Sequence, residues 1–230
     1  MWFGNMKDRI LFEDAHILVC RKPAGIAVQS AGIGSMDLES MLKNYLAEKA
    51  PETIPYLAVI HRLDQPVEGL LVFAKNQKAA ADLNRQMTSG KIKKEYLAVT
   101  EKKPLKDRGQ LTDYLKKDGR SNTSSVVQKG TPGAKEARLF YEVLETGPRT
   151  LLNIHLETGR HHQIRVQMAH AQMPLLGDKK YGASKFSRRL ALCSAGLSFC
   201  HPATGKPMTF YICPEGEAFQ EFACLKKQSV

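Results

Sequence analysis

Residues 57–76 read LAVIHRLDQPVEGLLVFAKN. Two apolar runs, LAVI (57–60) and GLLVFA (69–74), flank a charged and turn-prone middle. Short runs rich in Val, Ile and Phe and bounded by turn residues are β-like. Strands are therefore expected over 57–64 and 69–76, joined by a connection at 65–68. Such a pair delivers His61, Arg62 and Asp64 to a strand end, where a rigid scaffold can present side chains to a cleft. An Asp at a strand-to-turn step is also the ordinary residue of an Asx-turn or cap. The stretch thus predicts strand pairing and leaves its chemistry open.

The pattern continues in both directions. HILVCRKP (16–23) reads as a strand halted by Pro23. In SMDLESMLKNYLAEKA (35–50), Leu38, Met41, Leu42, Tyr45 and Leu46 share one helical face, Ser35 or Asp37 can cap the start, and Pro51 closes the stretch. Residues 77–88 read as a helix with Gly90 just past its end. KKEYLAVT (93–100) is a strand. Residues 101–135, rich in Lys, Gly, Ser and Thr, read as exposed loops with a short strand near 111–115. Residues 137–146 and 150–158 pair around the Gly147-Pro148 turn. HHQIRVQMAHA (161–171) reads as a helix opening at Thr158-Gly159, with amides able to face an anion. ALCSAGLSFCHP, ATGK and PMTFYI make a hairpin, and AFQEFACL (218–225) a final helix. Many strands, few helices and no regular βαβ alternation predict an α+β fold on a mixed or antiparallel sheet. No linker stands out, so residues 1–230 read as one domain.

Composition narrows the function. A net charge of +11 and a pI near 9.4 favour polyanions, of which RNA is the most abundant in cells. The bases cluster at Lys91/Lys93/Lys94, Lys102/Lys103/Lys106/Arg108, Lys116/Lys117/Arg120, Arg160 to Arg165, and Lys179/Lys180 to Arg188/Arg189. Aromatics are 7% of residues, so a stacking platform for single strands is not evident. No window has the roughly 18 consecutive apolar residues of a membrane span. The N-terminus, interrupted by Lys7, Asp8 and Arg9, does not resemble a signal peptide. A soluble, cytoplasmic, monomeric protein is expected. The five cysteines form no CxxC pair, which fits reduced thiols, and their spacing does not suit zinc.

Three polar clusters sit at the ends of expected strands. The first is His61-Arg62-x-Asp64. The second is Lys94-x-Tyr96, whose residues are also common strand and edge choices. The third runs from Thr158 to Arg165, with Gly159, Arg160, His161, His162, Gln163 and Ile164 between. Arg165 falls among Ile164, Val166 and Met168, and an arginine drawn into such a setting wants a carboxylate or phosphate partner. A cation beside an isolated acid would favour an ionised carboxylate, suited to a nucleophile or base. Spacing alone does not bring Asp64 and Arg165 together.

In content and order these motifs resemble the RluA-type RNA pseudouridine synthases. They are HRLDxxxxG (61–69) followed by an apolar run and Ala74-Lys75, KxYxAV (94–99, with Lys94, Tyr96, Ala98 and Val99), LxTGRxHQIRV (156–166) and GDxxYG (177–182). KPAGIAVQ (22–29) matches that family's opening strand and loop. The resemblance runs from about Ile17 to the C-terminal hairpin. It implies one catalytic domain built on a long mixed sheet with a basic cleft, turning uridine in rRNA or tRNA into pseudouridine without metal, cofactor or energy source. Carried over, Asp64 is the catalytic aspartate and Tyr96 stacks on the target uracil and takes part in proton removal. Arg165 pairs with Asp64, and Arg62 helps hold the RNA open around a flipped nucleotide. His61, Lys94, Arg160, His162 and Gln163 are expected to contact RNA or substrate. The chain departs from the family at Val67-Glu68, where Thr-Ser is usual, and at Gln167, where histidine is common. No S4-type RNA-binding domain precedes residues 1–16, so a stand-alone catalytic domain is expected.

Two other classes remain open at this level. One is a non-catalytic RNA-binding or ribosome-assembly protein on the same scaffold, disfavoured by the retained Asp64, Tyr96 and Arg165. The other is a metal-dependent phosphodiesterase using His61, Asp64, His161 and His162.

Overall fold

A computed structural model describes residues 6–30, 36–182 and 189–226. The chain forms two compact units, Met1–Lys93 with Ser194–Ile212 and Lys94–Cys193 with Cys213–Val230. The expected cap Ser35 and the basic residue Arg188 lie outside the described residues.

The first unit begins with strands β1 (Ile10–Glu13) and β2 (Ile17–Lys22). Asp14 makes their turn, its Oδ1 accepting the amides of His16 at 2.7 Å and Ile17 at 2.8 Å. Helix α1 (Leu38–Lys49) starts at Asp37, whose side chain accepts the Ser40 amide at 2.8 Å, and it buries Leu38, Leu42 and Leu46. Strands β3 (Ala58–Val59) and β4 (Glu68–Ala74) follow, then helix α2 (Gln77–Thr88), capped by Asn76. β2 and β4 pair antiparallel from Ile17↔Ala74 to Lys22↔Gly69. Every residue of β4 is buried, as its uninterrupted apolar run predicts.

The strand expected over 57–64 is much shorter, pairing with β4 only at Ala58 and Val59. The backbone groups of the following turn are taken locally instead of by a ladder. Gly25 N donates to Gln65 O at 2.8 Å and Val67 N to Asp64 O at 3.0 Å. The core of this unit joins Ile17, Val19, Leu70, Val72 and Leu83 with Leu197 and Phe199.

The second unit carries β5 (Lys93–Thr100), β6 (Arg108–Asp118), β7 (Thr123–Val127), β8 (Lys135–Thr146), β9 (Thr150–Leu156) and helix α3 (Gln163–His170). Its strands run β5-β9-β8-β6-β7, each pairing antiparallel. The exposed loops expected over 101–135 are largely a β-hairpin. β6 is exposed on both faces after Leu115, and the half-buried face before it carries Gly109, Leu111 and Asp113, so little apolar alternation can be read from it. Its order comes from partners: β8 along Arg108↔Glu142 to Leu115↔Lys135, and β7 beyond it. Leu115 anchors it against Ala137, Val166, Val126 and Tyr181.

The chain then forms the expected hairpin of β10 (Leu192–Cys200) and β11 (Pro207–Tyr211), with β10 beside β4. The expected last helix is broken into a 3₁₀ turn at Glu217–Phe219 and α4 (Ala223–Lys226). Glu145 accepts the Ala223 and Cys224 amides at 3.0 and 2.8 Å, fixing where α4 begins. Eleven strands and four α-helices make the described residues an α+β fold. No described helix is long and apolar enough to cross a membrane.

Glu13 ties the first unit's outer elements together. Its carboxylate accepts Tyr45 Oη at 2.9 Å, Lys49 Nζ at 2.8 Å and Lys75 Nζ at 2.8 Å. Burial alone would raise its pKa, but these three donors outweigh that and lower it from 4.5 to about 2. A carboxyl with a depressed folded pKa adds stability above its unfolded value, lost as pH falls through the folded one. Glu13→Gln is therefore expected to lower the unfolding free energy at pH 6, read from urea denaturation, by up to about 3 kcal/mol. The gap to wild type should close between pH 4.5 and about 2. An equal gap at pH 6 and pH 2.5 would contradict this origin.

Candidate active site

Asp64 lies in the turn between β3 and β4, and the sequence before it explains how that turn is held. Lys22 ends an otherwise apolar strand and is 0% exposed. Its ammonium has three donors, which reach Pro23 O at 3.0 Å, Ile26 O at 2.8 Å and Gln65 O at 3.1 Å. One side chain thus joins the KPAGI loop to the residue after Asp64. Gln65 Nε2 returns the link by donating to Gly25 O at 3.1 Å. Burial pushes Lys22 down to about 7, against the opposing pull of the Asp64 and Glu68 carboxylates. That pull places both acids in the field of the ammonium. Asp64 is half-buried and Arg62 exposed, while His61 is buried and its Nε2 accepts the Val72 amide at 3.4 Å. The turn therefore presents a carboxylate on a backbone fastened at several points.

The unusual Glu68 does not project into solvent. It is 5% exposed, with Oε2 3.5 Å from Arg21 Nη2. The charge that replaces the family's small hydroxyl is thus balanced by an arginine on the adjacent strand.

The second unit holds the other two clusters. Lys94 is half-buried, and burial pushes it down to about 8. Tyr96 is buried and sits opposite Ile154, which is itself opposite Tyr141. Arg160 is exposed, and its Nε donates to Glu136 O at 2.8 Å. Gln163 closes the turn before α3. Its Oε1 accepts Thr158 Oγ1 at 2.8 Å and the Arg160 amide at 2.9 Å, and its Nε2 donates to Arg138 O at 3.0 Å. The first amide of α3, Gln163 N, is taken by Arg160 O, so it does not face outward as the sequence suggested. His161 and His162 stack at 3.8 Å.

Arg165 is 4% exposed, as its apolar neighbours imply. Its Nε and Nη2 donate to Asp178 Oδ2 and Oδ1, both at 2.8 Å, a bidentate fork. Burial would raise the Asp178 carboxyl, but the Arg165 hydrogen bonds and charge hold it below its ordinary value. Gln167, which stands where histidine is common, is fully buried and donates to Asp113 Oδ2 at 2.8 Å and Ala137 O at 3.2 Å. There the amide joins α3 to β6 and β8.

Sequence reasoning gave no role to Lys22, Asp178 or Tyr181. The signals were present: a lysine closing an apolar strand, and an acid in GDxxYG able to meet the carboxylate demand of Arg165. Asp64 belongs to the first unit, and Tyr96 and Arg165 to the second. Of the histidines in the metal-based reading, His61 lies in the first unit and His161 and His162 in the second. Among the described residues no three His, Cys, Asp or Glu are grouped to hold a metal ion.

Comparison with known proteins places this arrangement. A family model described as RNA pseudouridylate synthase matches residues 16–170. The chain is 37% identical over 211 residues to ribosomal large subunit pseudouridine synthase D of Nitrosomonas europaea, covering 86% of this chain and 59% of that protein. It is 33% identical over 217 residues to ribosomal large subunit pseudouridine synthase C of Buchnera aphidicola, covering 87% and 65%. The chain thus spans less than two thirds of the length of these relatives. The fold is shared with human RNA pseudouridylate synthase domain containing 4, at a TM-score of 0.77 and 20% identity, over 94% of this chain and 91% of that one. With the match running from the Asp64 turn through the Arg165 helix, the chain belongs to the RNA pseudouridylate synthase family.

Proposed function

We propose that this protein isomerises specific uridines in RNA to pseudouridine, with Asp64 as the catalytic aspartate. The observation that carries this reading is the family match over residues 16–170, within which Asp64, Tyr96 and Arg165 are all retained. That match draws on both compact units, which supports reading residues 1–230 as one catalytic domain. The names of the relatives point to large-subunit ribosomal RNA as the first substrate to test.

The reaction breaks the uridine N1–C1′ bond, turns the uracil, joins C5 to C1′ and releases the C5 proton, so nothing is oxidised or reduced. A carboxylate at Asp64 attacks or deprotonates the sugar, or adds to C6 of the base. The base must leave its stack to reach it, at a cost of a few kcal/mol. Stacking on Tyr96 returns about 1–3 kcal/mol, and its phenol stands ready for proton removal at C5. Arg165 serves as the cationic partner of Asp64, and the exposed Arg62 fills the space the base leaves. Arg160 and the basic clusters hold phosphates along a basic cleft, with His61, Lys94, His162 and Gln163 shaping its walls.

Pseudouridine mapping of total RNA from a deletion strain tests the reading. At least one site should vanish and return with the wild-type gene but not with Asp64→Asn. Restoration by Asp64→Asn would remove the mechanism, and an unchanged map would favour an RNA-binding or assembly role. On the substrate so found, activity should be unchanged by EDTA, and log Kd should vary steeply with log salt. Loss of turnover on chelation would return the metal-based reading.

A further inference from the structure

The mechanism above uses Arg165 but gives no part to Asp178 and Tyr181, which form a connected set with Arg165 and His162. Asp178 holds the guanidinium edge-on through the two 2.8 Å bonds. The guanidinium carbon also lies over the Tyr181 ring, 5.1 Å from its centre. The same Asp178 carboxylate accepts the Lys180 and Tyr181 amides at 3.0 and 3.2 Å. The acid that grips the arginine therefore also closes the turn that presents the ring.

The ring is fixed at its far end as well. The Tyr181 hydroxyl accepts the Ser124 amide at 2.8 Å and lies 2.7 Å from His162 Nδ1. Which of the phenol and Nδ1 donates depends on the His162 tautomer, and the two are hydrogen-bonded in either case. His162 meets it from a left-handed backbone at φ 54° and ψ 24°, a conformation that costs a non-glycine residue about 1–3 kcal/mol. Its ring stacks on His161, whose Nδ1 and Nε2 lie 2.9 Å from Ser124 Oγ and 3.1 Å from Asn122 Oδ1. A strained residue retained at the end of a chain of contacts to a buried arginine calls for a reason beyond packing.

We propose that Asp178, Tyr181 and His162 are positioning residues that fix the plane and reach of the Arg165 guanidinium. Asp178 sets its direction, Tyr181 blocks rotation about its long axis, and His162 sets the tilt of the Tyr181 ring through the phenol. The benefit is to the chemical step: an arginine held within a few tenths of an ångström costs no reorganisation when charge develops. The proposal rests on the role given to Arg165 in the reading above.

The test uses the full chain and two independent readouts. Tyr181→Phe keeps the ring and removes only the hydroxyl. It is expected to lower the single-turnover rate of pseudouridine formation about tenfold while leaving the RNA Kd and thermal midpoint near wild type. In an Arg165→Lys background the same change should have no further effect, because the group it orients is gone. His162→Gln, whose amide can still accept from or donate to the phenol, should keep more of the rate than His162→Leu. The second readout is the Arg165 Nε–H resonance in a ¹⁵N–¹H spectrum, which should shift or broaden in Tyr181→Phe. Equal losses in both backgrounds, or an unmoved Arg165 resonance, would overturn the proposal. If the wild type modifies no RNA, the synthase reading fails, and the resonance alone decides whether the set positions Arg165.

Discussion

Asp64→Asn is expected to lower pseudouridine formation on the order of 10³-fold or more, while RNA affinity changes little. Asparagine has nearly the same shape but no negative charge, so it can neither attack the sugar or base nor accept a proton as a carboxylate does. The turn itself should survive. It is held by the Asp64 carbonyl, which accepts the Val67 amide, and by Lys22 and Gly25 on Gln65 O, and none of these bonds uses the carboxylate. A thermal midpoint near wild type, a Kd near wild type and an undetectable single-turnover rate would together assign a chemical role. A variant keeping more than about a tenth of the rate on a verified substrate would rule that role out.

Gly69→Ala is expected to damage the fold itself, by about 3–5 kcal/mol. Gly69 has φ +139°, and a Cβ there would lie 2.5 Å from Ser194 N and 2.6 Å from Ser194 O. Both are backbone atoms, so no side-chain rotation relieves the overlap. The residue sits opposite Lys22 at the start of β4, and any shift also moves the turn that carries Asp64. Gly25→Ala is the control. Its φ is +95° but nothing lies within 4 Å of the added Cβ, so only backbone strain of about 1–2 kcal/mol applies. Urea unfolding of both variants separates the two contributions. If Gly69→Ala is no worse than Gly25→Ala, close approach to Ser194 is not what demands glycine.

Much of the architecture was legible locally. The stripes of α1 and α2, the apolar run of β4 and the Gly147-Pro148 turn each carry a period or a breaker within a few residues, and the elements stand where those signals put them. The hairpin of β6 and β7 was not legible, because a ribbon with polar residues on both faces has no apolar period and owes its order to β8. The strand expected through His61 and Asp64 was over-read for the opposite reason. Its composition is β-like, but its backbone groups are bonded by the loop after β2.

The sequence by itself determined the α+β class, most element positions, the candidate acid Asp64 and the demand of Arg165 for an acidic partner. That demand was read from an arginine set among the apolar Ile164, Val166 and Met168, while its burial comes from the packing that encloses α3 from Gln163 to Met168. The tertiary structure decided the partners: Asp178 and Tyr181 around Arg165, Arg21 beside Glu68, Asp113 beside Gln167, and three carbonyls around Lys22. Periodicity is a property of neighbours a few residues apart, so it can be read along the chain. The choice among many acids, bases and carbonyls is made by distance and burial, which exist only once the strands and helices have packed.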